Sequence, residues 1–107
     1  MSREKGDFAE DRAISYYLQE LDFLVIDRNY HSRFGEIDII VVKDKVMHFI
    51  EVKSGNYDPI YQISPSKISK IYKTAEIYIS KKKIDMDFCI DALIVCEDIE
   101  FIENITL

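Results

Sequence analysis

Two apolar runs constrain this chain more than any other feature: residues 35–43 and Val46–Ser54, rich in β-branched side chains and separated only by Asp44-Lys45. Runs of this kind read as strands, and so short a connection makes them an antiparallel hairpin. A connection of two or four residues sets Asp38 opposite Glu51 and Glu36 opposite Lys53. Side chains alternate along a strand, so these four charged groups share one face. Ile40, Val42, Met47 and Phe49 continue that face toward the turn, and Ile37, Ile39, Val41, Ile50 and Val52 occupy the other. Both faces are apolar enough to be covered, which leaves the charges at one end of a buried surface, where unpaired charge is costly. Asp-Lys is not a turn that hairpins favour. An odd loop length would slip the pairing by one and point Asp38 and Glu51 to opposite faces.

The remaining elements can be placed around this hairpin. Over residues 3–21, Ala13, Ile14, Tyr17, Leu18 and Leu21 recur at helical spacing. Residues 23–30 read as a strand preceding the hairpin. Ser64-Pro65 is a helix start, a capping hydroxyl followed by a proline whose missing N–H costs nothing at the first position. The helix runs to about residue 81, with Ile68, Ile71, Tyr72, Ala75 and Ile79 on its apolar stripe and Lys67, Lys70 and Lys73 on the other side. Residues 88–96 and 99–105 supply a fourth and a fifth strand. The order α-β-β-β-α-β-β predicts an α/β fold, a mixed sheet flanked by helices. A helical crossover should bring the fourth strand parallel to a strand of the meander. At 107 residues with 48% apolar content, and with no repeat or linker, the chain has the size of a single domain.

Composition excludes several classes of function. The apolar runs are short and interrupted by charge, so no membrane span is expected. Residues 1–8 alternate charges and lack the apolar segment of a signal peptide, which predicts a cytoplasmic protein. Cys89 and Cys96 lie on one predicted strand, roughly 23 Å apart, too far to bridge. Neither a Cys-x-x-Cys nor a His-x-x-x-His spacing occurs, which points away from a structural zinc site. The net charge of −6 argues against a nucleic-acid partner. Its distribution is uneven, however: residues 84–107 hold seven acids and no Lys or Arg, whereas residues 54–83 hold six lysines. A local basic surface therefore survives, to be read either as a solvated helix face or as a phosphate contact.

Like charges directly across a ladder repel, so something positive belongs between Asp38 and Glu51. Lys53 can help, and two converging carboxylates also make the oxygen-rich site that Mg²⁺ or Mn²⁺ prefers. Glu10 falls on the apolar stripe of the first helix, where a carboxylate either snorkels or has a buried partner, and if that helix packs on the charged face of the sheet Glu10 could reach the same metal. The alternative is a structural network of salt bridges, Glu36 with Lys53, which leaves the Asp38–Glu51 repulsion unanswered. Arg28, His31 and Arg33 flank the entrance to the second strand and could contact phosphate, although loop residues of this type are usually solvated. His48 reads as a packed core histidine on the face opposite the cluster. Tyr17, Tyr72 and Tyr78 have helical core spacing and need no base-stacking role.

Gly35-Glu36-Ile37-Asp38 followed by Glu51-Val52-Lys53 resembles the D…ExK signature of restriction-endonuclease-like folds. Together with Lys5-Gly6, Glu10, Ala13, Leu18, Arg28-Asn29, Ser64-Pro65-Ser66-Lys67, Ala75 and Asp91, the chain resembles the YraN-like family of small bacterial proteins over nearly its whole length. That family is similar to archaeal Holliday-junction resolvases. The resemblance implies an αβββαβ core of the PD-(D/E)XK nuclease class, Mg²⁺-dependent cleavage of DNA, possible action on branched or junction DNA, and a possible homodimer. Carried over by position, Glu10, Asp38, Glu51 and Lys53 form the active-site set, with Asp38, Glu51 and Glu10 as metal ligands. Lys67, Lys70, Lys73, Arg28 and Arg33 are then the expected nucleic-acid contacts. Gly55 and Cys89 stand where relatives commonly carry arginine. The competing expectation is a nucleic-acid-binding module that keeps the fold without turnover.

Overall fold

The computed structural model describes residues 8–54 and 63–106. Helix α1 (Phe8–Glu20) leads into strands β1 (Leu24–His31), β2 (Glu36–Lys43) and β3 (Val46–Ser54), followed by helix α2 (Pro65–Lys82) and strands β4 (Asp87–Val95) and β5 (Ile99–Ile102). The strands form one sheet in the order β1-β2-β3-β4-β5. Only β3 and β4 pair parallel, as a helical crossover between them requires. The α/β architecture and its αβββαβ core therefore follow the sequence pattern. Residues 3–7, Lys5 and Gly6 among them, and Gly55 lie outside the described residues.

Each face of the sheet is buried under one helix. Ile71, Ala75 and Tyr78 of α2 pack on Ile37, Ile40, Met47, Phe49 and Ile90. On the other side Ile14 and Leu18 of α1 pack with Phe23, Ile39, Val41, Ile50 and Leu93. Burying a side chain such as Phe49 or Ile50 contributes about 1.5–3 kcal/mol. This two-sided cover is why β2 and β3 read as apolar runs instead of alternating.

Local chemistry sets the element boundaries. The Ser64 hydroxyl accepts the Lys67 backbone N–H at 3.1 Å, and α2 closes at Lys83 in the left-handed region, φ 55°. Tyr72, expected on the apolar stripe, is 43% exposed and leans on Phe88, while Thr74 is buried in its place. The Thr74 hydroxyl donates to the Lys70 carbonyl at 2.9 Å and lies 2.8 Å from the Ser32 hydroxyl, so burial leaves no polar atom unmatched there.

Asp44 and Lys45, with φ of 51° and 65°, form a two-residue turn closed by the Lys43–Val46 pair. Two successive left-handed residues define a type I′ turn, whose twist suits a hairpin despite the unfavoured sequence. The even register read from the sequence results as far as Ile39 opposite Ile50, but the Asp38–Glu51 and Glu36–Lys53 pairs expected beyond it are not formed in the ladder among the described residues.

Simple alternation along β1 fails at two points, a register shift between Val25 and Asp27 and a second break after Arg28. Arg28 faces α1, where it donates to the Ser15 hydroxyl, yet Tyr30 faces α2, with its ring 4.8 Å from that of Tyr78. Their partners on β2 divide likewise: Ile39 packs on the α1 side and Ile37, expected beside it, on the α2 side. Asn29, left-handed at φ 51°, turns β1 over between Arg28 and Tyr30. Beyond Ile39 no further β2–β3 ladder pair forms among the described residues, so β2 can follow β1.

Candidate functional site

Asp38 lies at this break. Its Oδ2 accepts the Val52 backbone N–H at 2.8 Å, so a side chain takes over where the β2–β3 ladder ends. Glu51, one residue earlier on β3, is almost fully buried at 4% exposed. Burial first, and then the charge of Asp38, push its carboxyl up from 4.5 to about 7, while Lys67 and Lys53 pull it back. Lys53 Nζ lies 3.9 Å and Lys67 Nζ 3.4 Å from Glu51 Oε2. Two carboxylates and two ammonium groups thus meet at the end of β2 and β3 beneath the first turn of α2.

Glu10 reaches the end of the same strand from α1, but α1 packs on the face of Ile50 and Val52 and not, as a metal-ligand role would need, on the face of Glu51. Glu10 Oε2 accepts from the Ser54 hydroxyl at 3.3 Å, one residue past Lys53. Glu36 takes no part. It pairs with His31 at 3.1 Å, because β2 has already turned away from β3 at that position. The structural alternative of a Glu36–Lys53 bridge is thereby replaced by Glu51–Lys53.

The expected phosphate contacts fall in three places. Lys67 belongs to the carboxylate cluster. The Lys70 β-carbon would lie 3.6 Å from a side chain added at Gly35, and Lys73 Nζ lies 5.3 Å from the Phe34 ring centre. Arg33 stacks over the same ring at 5.0 Å, so Lys73 and Arg33 form a cationic rim around the β1–β2 loop. Arg28 is held on the α1 side by Ser15. Lys67 could have been assigned to the cluster from sequence. A crossover helix starts near the end of the strand it follows, and the Ser64 cap puts Lys67 in the first turn.

His48 is a buried core histidine on the face away from Glu51, edge-on to Phe23 with ring centres 5.1 Å apart. Its Nδ1–H donates to Asp91 Oδ2 at 2.5 Å, and Cys89 Sγ lies 3.2 Å from the same nitrogen. Asp91, with no exposed surface, also accepts from the Asn104 backbone N–H at 2.7 Å and the Cys89 thiol at 3.3 Å. Burial, then the Asp91 charge, push that thiol up to about 12. Cys89 therefore lies on the opposite face of the sheet from the carboxylate cluster, not along a path past Glu51 and Lys53.

Fold and site together define a small α/β protein with a mixed five-stranded sheet and an acid–lysine cluster at the end of its central hairpin. The chain belongs to the family described as Uncharacterised protein family UPF0102, which matches residues 9–95. A UPF0102 protein of Wolinella succinogenes is 54% identical over the full length of both chains. One from Helicobacter pylori strain P12 is 56% identical, covering 97% of this chain and 92% of the relative. A third, from a Sulfurovum species, is 52% identical over 95% and 93%.

Proposed function

We propose that this protein is a divalent-metal-dependent endonuclease that hydrolyses phosphodiester bonds in DNA, with branched or junction DNA among the substrates to be tested. The observation that carries the reading is Glu51: a buried carboxyl placed against a second carboxylate, with two lysines at its edge. Such a pair is unfavourable in a fold that needs it only for packing, and a bound cation relieves it. The donor set fits a hard ion, since Asp38 and Glu51 offer oxygen only and leave positions for water and a phosphate oxygen. When bound, Mg²⁺ or Mn²⁺ supplies Lewis-acid polarisation of a phosphate and acidification of water.

The roles of the chain's own groups follow from their positions. Asp38 is fixed by the Val52 N–H and so presents its carboxylate without reorganisation. Lys53 offers a compact cation beside Glu51, suited to orienting an attacking water or neutralising charge developing on phosphate. Lys67 offsets part of the charge on Glu51. Glu10, tied to Ser54, stands ready to position a water from the α1 side. Lys73 and Arg33 supply charge for the nucleic-acid backbone beyond the site. The resemblance to resolvases, together with this donor set, supports the nuclease reading above a binding module without turnover. Cys89 lies on the other face, so its side chain takes no cation away from Glu51 and Lys53.

The test is a thermal melt with increasing Mg²⁺ or Mn²⁺ on the wild type and Glu51→Ala, run beside cleavage of duplex, flapped and four-way DNA. A metal-dependent rise in melting temperature and cleavage, both lost in Glu51→Ala, are expected. Metal stabilisation equal in the two proteins would remove the assignment.

A further inference from the structure

The parallel pairing of β3 with β4 sets His48 directly beside Cys89 on the face away from Glu51. Glu103, just past β5, comes to the same place: a ring nitrogen of His48, Cys89 Sγ and a carboxylate oxygen of Glu103 all lie within 4.8 Å of one another. We propose that these three side chains form a second metal site, selective for a borderline transition ion such as Zn²⁺ and independent of the nuclease reading.

Geometry and donor type both favour that ion. Tetrahedral zinc with bonds of about 2.0–2.3 Å holds its ligands about 3.5 Å apart, so the three atoms need to close by only on the order of 1 Å. A sulfur and an imidazole select Zn²⁺ over Mg²⁺, which takes oxygen. Asp91 accepts from His48 and is itself anchored by the Asn104 backbone N–H, so a buried carboxylate already fixes the histidine. This is the outer-partner role that orients a metal-binding histidine. A cleft of about 390 Å³, lined by Phe23, His48, Phe101 and Glu103 among others, leaves room for a solvent molecule as the fourth ligand. On binding, the ion replaces the Cys89 thiol proton, which leaves to solvent. The result would tie β3, β4 and the chain after β5 together.

No local motif announces this site, because its members come from separate strands and meet only through sheet pairing. That is why the absence of short Cys and His spacings points away from zinc when the sequence is read alone.

Co²⁺ titration of the full-length, reduced protein tests the proposal. The wild type should develop a sulfur-to-cobalt charge-transfer band together with tetrahedral visible absorption, both displaced by Zn²⁺. Cys89→Ser should lose the charge-transfer band, and Cys96→Ser and Glu51→Ala should keep it. Glu103→Gln, at an exposed position that folding tolerates, should weaken binding by at least about tenfold. A folded wild type with no sulfur band, a Cys89→Ser variant that keeps it, or Glu103→Gln with unchanged affinity would overturn the site. None of these outcomes touches the Mg²⁺ response expected of Asp38 and Glu51.

Discussion

At the scale of single residues, Glu51 links stability to function. In the unfolded chain its carboxyl ionises near 4.5, and in the metal-free fold near 7. The folded state therefore holds an extra proton between those values, and the associated stability is full below the lower one and lost as pH rises through the upper. The difference corresponds to about 3 kcal/mol as an order of magnitude, most of it from burial. Glu51→Gln removes this titration, so its melting temperature should gain steadily on the wild type between about pH 5 and about pH 8 without metal. Parallel curves across that range would show that Glu51 is neither desolvated nor repelled in the fold. Asp38→Asn should act in the same direction and more weakly, since the amide oxygen can still accept the Val52 N–H. It should also abolish the gain that Mg²⁺ gives the wild type.

At the scale of elements, the turn and the cap are the local determinants of the site. Lys45 holds φ 65° without being glycine. Lys45→Gly should stabilise the protein by about 0.5–1 kcal/mol in urea melts, because the strain relieved exceeds the added chain entropy. A loss of stability would mean that the turn is not type I′. Ser64→Ala should cost about 1 kcal/mol and loosen the first turn of α2. Since that turn carries Lys67, one of the groups that pull the Glu51 carboxyl down, the variant should also shift the Glu51 titration upward. The hairpin register and the α2 start were legible because a two-residue connection and a Ser-Pro pair each permit few geometries. The reversal at Asn29 was not. Nothing in Arg28-Asn29-Tyr30 distinguishes a left-handed residue from an ordinary strand position, and its consequence, Ile37 turned toward α2, depends on tertiary packing.

At the scale of the whole molecule, charge is segregated. Residues 84–107 carry seven acids and no Lys or Arg, while Lys67, Lys70, Lys73 and Arg33 gather near α2 and the β1–β2 loop. No helix among the described residues is long and apolar enough to cross a membrane. Replacing Lys67, Lys70 and Lys73 by Gln should flatten the slope of DNA affinity against salt, because fewer counterions are released. Equal slopes would make these lysines ordinary solvated residues. That β4 runs parallel to a strand of the meander could be read from element order alone. The His48–Asp91–Cys89 network could not, since it depends on which strand β4 joins and in what register.

The central claim, that Asp38, Glu51 and Lys53 act together on phosphodiesters, is tested most directly by one comparison. Wild type and Lys53→Ala are assayed with Mg²⁺ or Mn²⁺ on branched and flapped DNA, with metal binding measured in parallel by thermal shift. The wild type should cut and Lys53→Ala should not, while its metal response stays close to the wild-type one, because the lysine acts on water and phosphate and not on the ion. Lys53→Arg should fail to restore cutting. A wild type that cuts no DNA with either ion, or a Lys53→Ala variant that cuts at the wild-type rate, would contradict the account.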